Sequence, residues 1–114
     1  MSTYYVKRGD VGSSTPTTEL LDSDRKAANL TEASVRFIMA ADVGIAPTVA
    51  ADAEVVGDEI DGCVRYTWVE GDLDISGHYL AEYEVTYADD SVETFPSDGY
   101  ISVIVRADLD ADES

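Results

Sequence analysis

Apolar and polar residues alternate with a period of two along most of the chain, and helical spacing hardly appears. In "LTEASVRFIMAA" the pattern puts Val35, Phe37 and Met39 on one face with Arg36 on the other, as in a half-buried strand. The clearest case is "HYLAEYEVTY", where Tyr79, Ala81, Tyr83, Val85 and Tyr87 oppose Glu82, Glu84 and Thr86. "CVRYTWV" sets Val64, Tyr66 and Trp68 against Cys63, Arg65 and Thr67, and "DGYISVIVRA" turns Ile101, Val103 and Val105 inward.

Weaker strand signals come from "YYVKR", "ELLD", "GIAPTVAADAEVV" and "VETFP", separated by turn-forming stretches such as "GDVGSSTPTT", "EIDG" and "ADDS". Pro47 makes the first part of its segment an edge or a loop. Only "TELLDSDRKAANLTEA" leaves room for a turn or two of helix. Short strands with turn signals every eight to twelve residues predict an all-β, immunoglobulin-like β-sandwich of seven to eight short strands. Residues 1–107 are expected to form the sandwich, and the acidic residues 108–114 a flexible tail. The core is expected around Phe37, Trp68, Tyr83 and Val103. Tyr79 follows a glycine by two residues, the setting of a tyrosine corner, whose phenol bonds upstream backbone while its ring packs inward. The alternation cannot bury Tyr4, Tyr5, Tyr100 and Ile104 together, which makes them the candidate assembly surface.

A chain of 114 residues fits one domain, since domains commonly run to about 100–150 residues. Charge changes the picture more. Asp and Glu number 24 against 7 Lys and Arg, a formal net charge of -17. Such a chain repels itself in dilute buffer, and dense counterions relieve the repulsion. Abundant Asp, with lysine only at Lys7 and Lys26, resembles the surface of a protein from a salt-in halophile. An ordinary acidic protein from a mesophile is the plainer alternative. Nucleic acid is a poor partner for either, because a phosphate backbone calls for clustered Lys and Arg. No apolar run approaches the roughly 18 residues of a membrane helix, and "MSTYYVKRGD" lacks a signal-peptide layout. The expectation is synthesis in the cytoplasm and no membrane partner.

Candidate chemistry is sparse. Cys63 is the single cysteine, which excludes an intramolecular disulfide; a packed thiol, or one at a subunit contact, fits it better than a nucleophile. His78 is the single histidine, and no motif around it marks a nucleophilic pair. Acidic pairs recur at Asp22 and Asp24, Asp72 and Asp74, and Asp89 and Asp90, without the spacing of a calcium loop. They imply at most weakly bound cations at acidic loops, with no cofactor or specific metal site. The "RGD" at Arg8 to Asp10 reads as a loop entry, and no glycine-rich phosphate loop is present. The expectation is a protein that is not an enzyme.

The order of the motifs adds to this. "KRGD" leads into a loop, then come "LLDSD…ANLTEASVRFIM", "GCVRYTW", "GDLDISGHYLAEYEV" and "ETFPSDGY" before the last strand. In that order, over roughly residues 5–106, the chain resembles the immunoglobulin-like N-terminal domain of the BppU type, found in baseplate upper proteins and related structural proteins of tailed phages. The resemblance implies a virion structural protein, located in the tail, baseplate, neck or capsid decoration. Its partners would be other virion proteins, and it would form a homo-oligomer or ring in the particle. Combined with the acidic surface, it implies a tailed virus of a halophilic, haloarchaeal host. Two other readings stand beside it: an immunoglobulin-like cell-surface or carbohydrate-binding module, and a small enzyme or cytoplasmic accessory protein gathering His78 with carboxylates.

Overall fold

The computed structural model describes residues 3–107. The expected tail at 108–114 lies outside the described residues.

Strands β1 (Thr3–Lys7), β3 (Ser34–Ala40), β4 (Val49–Asp52), β7 (Gly77–Thr86), β8 (Val92–Phe95) and β9 (Ile101–Arg106) form a six-stranded sheet. Its order is β1-β9-β7-β3-β4, with β8 also paired to β7. Strands β2 (Thr18–Glu19), β5 (Glu54–Val55) and β6 (Cys63–Arg65) form a second sheet in the order β2-β6-β5. β1 runs parallel to β9, and the other pairs are antiparallel. With β2, β6 and β5 read as strands B, E and D, and β4, β3, β7 and β9 as C′, C, F and G, this is the immunoglobulin arrangement.

The strands outnumber the expected seven to eight because "GIAPTVAADAEVV" serves both sheets. β4 pairs with β3, the chain crosses at Ala53, whose N–H donates to the Val35 carbonyl at 2.9 Å, and β5 pairs with β6. The short helix allowed near residues 18–33 is absent. Asp22 organises that stretch instead, its Oδ1 accepting the backbone N–H groups of Asp24 and Lys26 at 2.9 Å each.

Between the sheets, alternation delivers the core. Val35, Phe37 and Met39 from β3, Tyr79, Ala81, Tyr83 and Val85 from β7, and Ile101, Val103 and Val105 from β9 are buried. Leu20, Leu30, Val64, Tyr66, Trp68 and Leu73 meet them from the other side. Phe37 stacks on Tyr66 at 4.8 Å between ring centroids and meets the Trp68 ring edge-on at 5.6 Å, geometries that aromatic quadrupoles favour. No cysteine pair joins the sheets, so this aromatic cluster occupies the middle of the sandwich.

Two hydrogen-bonded devices hold the sheets in register. The Tyr79 hydroxyl donates to the Ile75 carbonyl at 2.7 Å, closing a tyrosine corner at the entry to β7. Thr15 is buried and its Oγ1 accepts the Tyr66 N–H at 3.0 Å while bonding the Tyr83 hydroxyl at 3.2 Å. At Gly62 the chain turns with φ 68, and a Cβ there would lie 2.9 Å from the Ala28 backbone, so only glycine lets the two segments meet.

Tyr4 is a correction. Expected on the assembly surface, it is 4% exposed and bonds Thr18 through its hydroxyl. Its parallel partner on β9 is Val103, an inward position, so Tyr4 points into the core and its neighbour Tyr5 points out.

Candidate assembly surface

The outer face of the six-stranded sheet is built by the residues that alternate with the core positions. Register aligns Tyr5 with Ile104 and Ile104 with His78 in one row, and Ser102 with Leu80 and Leu80 with Ala40 in the next. Tyr5 is 65% exposed; Ile104, Leu80 and Ile38 are half-buried. Together they give the face an apolar centre. Three of the four expected surface residues therefore gather near it: Tyr5 and Ile104 as direct neighbours, and Tyr100 at its margin.

Tyr100 belongs to a five-residue excursion, positions 96–100, between β8 and β9. Phe95 pairs with Tyr83 and Ile101 pairs with Ala81, so the extra residues bulge opposite Glu82. Tyr100 and the β3–β4 loop at Asp42 to Pro47 wall a shallow basin of about 220 Å³, floored by Ile38, Ala40 and Leu80. Val43 and Ile45 in that loop are exposed. Desolvation in this setting, with Glu84 adding repulsion, pushes the Glu82 carboxyl above the ordinary range.

The charges on this face differ from those of the chain as a whole. Lys7, Arg36 and Arg106 point outward there, against Asp52, Glu82 and Glu84, so the strand positions of the face are formally neutral, with Asp42 of the β3–β4 loop adding one negative charge at its edge, on a chain of net charge -17. Arg36 lies between Asp52 and Glu84 in register and bonds the Glu84 carboxylate at 3.4 Å. Arg106 covers the Tyr5 ring at 5.3 Å from its centroid.

The remaining candidates lie apart. Cys63 is half-buried at the start of β6 and directs its thiol to the Asp61 carbonyl at 3.7 Å. Desolvation, with the Glu19 and Asp61 carboxylates adding to it, pushes that thiol up, which opposes thiolate chemistry. His78 is exposed on the outer face beside Ile104. The Asp72/Asp74 and Asp89/Asp90 pairs sit at opposite ends of β7, a strand of ten residues and hence about 33 Å long, and Asp22 lies near Tyr87 at the Asp89 end. At one end Asp72 accepts the Tyr66 hydroxyl at 2.6 Å and the Val69 N–H at 3.0 Å. At the other Asp89 accepts the Ser91 N–H and hydroxyl, which hold its carboxyl below the usual range. Each of these carboxylates holds a turn. Among the described residues, no three His, Cys, Asp or Glu side chains gather as metal ligands.

Sequence reasoning missed Ile38 and Leu80, the centre of this face. Each is an apolar residue in a polar phase of the alternation, and that mismatch was the available signal.

No family model and no curated protein matches the chain. Among solved structures it is similar to CopC from Methylosinus trichosporium OB3b, with a TM-score of 0.44 and 11% sequence identity over 94% of this chain and 86% of that one.

Proposed function

We propose that this chain is a non-enzymatic structural protein of a tailed virus particle, in the tail, baseplate, neck or capsid decoration, working through subunit contacts in a symmetric assembly. The observation that carries the reading is the neutral, apolar-centred outer face of the six-stranded sheet on an otherwise strongly acidic chain. Such a face lets acidic subunits approach with less repulsion than the net charge of the chain would impose. The motif order shared with BppU-type domains supports the virion setting, and the acidic composition supports a halophilic host whose salt screens charge beyond a few ångströms.

The alternative, a cell-surface or carbohydrate-binding module, would place exposed aromatic rings on one sheet. Tyr5 supplies one such ring, with Arg106 lying over it. Immunogold labelling of purified tailed particles with an antibody to the folded domain tests the proposal. Label at a fixed position on the particle is the expected result; label confined to cell envelopes would favour the alternative.

A further inference from the structure

We propose that the outer face of the six-stranded sheet joins two copies of this chain, packed face to face about a two-fold axis running along the strands. The inference rests on the structural role above but names its partner and geometry. A second copy is the occupant because the face is self-complementary in charge, and a two-fold contact places the same patch on both sides. Lys7 and Arg106 lie at its β1–β9 edge, while Asp42 and Asp52 lie at the β3–β4 edge.

The levels along the strands select the axis. Val105 pairs with Gly77, so Arg106 and its neighbour Lys7 sit just beyond the start of β7. Ala40 pairs with Leu80, so Asp42, two residues later, reaches nearly the same level at the opposite edge. A two-fold parallel to the strands keeps each residue at its level and exchanges the edges. It therefore brings the basic edge of one copy over Asp42 of the other, with Leu80 and Ile104 near the middle. Stacked sheets lie about 10 Å apart and twisted sheets cross at about 30°, which this arrangement accommodates. A two-fold perpendicular to the strands would instead set Lys7 and Arg106 on the same edge as their own copies.

Light scattering in multimolar salt is expected to give twice the chain mass, and the double variant Leu80→Asp/Ile104→Asp to give a monomer. Ile60→Asp, an exposed aliphatic outside this sheet, is the control and keeps the wild-type mass. Orientation is read by cross-linking in a Cys63→Ser background with a bismaleimide of about 10 Å span, matched to the sheet spacing. Lys7→Cys mixed with Asp42→Cys should cross-link, and neither variant should do so alone. A wild-type monomer, or a dimer that survives the Leu80/Ile104 change, overturns the proposal, as does a cross-link of Lys7→Cys with itself. These outcomes are read on the purified chain, so they stand or fall separately from its presence in a particle.

Discussion

Thr15 and Tyr83 share a buried hydrogen bond of 3.2 Å between their hydroxyls, joining the loop before β2 to the centre of β7. The same Thr15 oxygen accepts the Tyr66 N–H at 3.0 Å, so one small side chain satisfies two polar groups between the sheets. Thr15→Val keeps the shape and leaves both without that partner. The expected loss is about 1–3 kcal/mol by denaturant unfolding, and Thr15→Ser should recover most of it. No loss for Thr15→Val beside a clear loss for Thr15→Ser would show that the methyl group, not the hydroxyl, matters.

Trp68 is 2% exposed and meets both Phe37 and Tyr66 edge-on. Its replacement by alanine should cost about 3–5 kcal/mol, the range for emptying a large aromatic site in a core. A loss under about 1 kcal/mol would mean that the cluster collapses to fill the space.

How far this was legible in the sequence depends on the element. β3, β7 and β9 announce their inward faces because each carries an unbroken apolar series at every second position, whereas only single large apolar residues, Ile38, Leu80 and Ile104, interrupt the opposite phase. β1 does not. "TYYVK" carries adjacent tyrosines, and a shift of one residue exchanges their faces, so the parallel pairing of Tyr4 with Val103 decides the matter and local sequence cannot. "CVRYTWV" forms a ladder with the second sheet only through Arg65; beyond it Thr67 bridges Ser14, and the Trp68 N–H donates to the Ser13 carbonyl. Those partners lie about fifty positions away in a stretch that reads locally as loop. The same holds for the assembly surface: Tyr5 and Ile104 stand out as unburied, whereas their neutrality with Lys7, Arg36 and Arg106 emerges only from register.

Glu82 gives a pH test. Its folded-state pKa is raised above the ordinary 4.5, so the stabilising effect of protonation is fully present below the unfolded value and is lost as pH rises through the folded one. At neutral pH the ionised carboxylate is therefore a burden beside Leu80 and Glu84. Glu82→Gln should raise the melting temperature at pH 7, and the gain should vanish below about pH 4. A gain independent of pH would point to packing instead.

Tyr87 responds at the alkaline end. Burial first, then its 2.7 Å hydrogen bond to Glu93, pushes its phenol up to about 12 from 10.0. With the folded value raised, stability should fall as pH climbs from about 10 to about 12, and Tyr87→Phe should flatten that decline. An unchanged alkaline melting curve for Tyr87→Phe would remove Tyr87 from the account.

Salt addresses the charge. Diluting from molar salt to about 0.1 M lengthens the screening distance from about 3 to about 10 Å and exposes each of the crowded carboxylates to more of its neighbours. The melting temperature should drop on dilution. A melting temperature that holds or rises would contradict the halophilic reading.

The most direct test of the structural role is quantitative mass spectrometry of purified tailed particles, with this chain counted against the major capsid protein. The account predicts the chain at a fixed stoichiometry that matches a ring or a decoration lattice and persists through repeated purification. Its absence, or an amount that falls with each round of washing, would contradict a place in the virion.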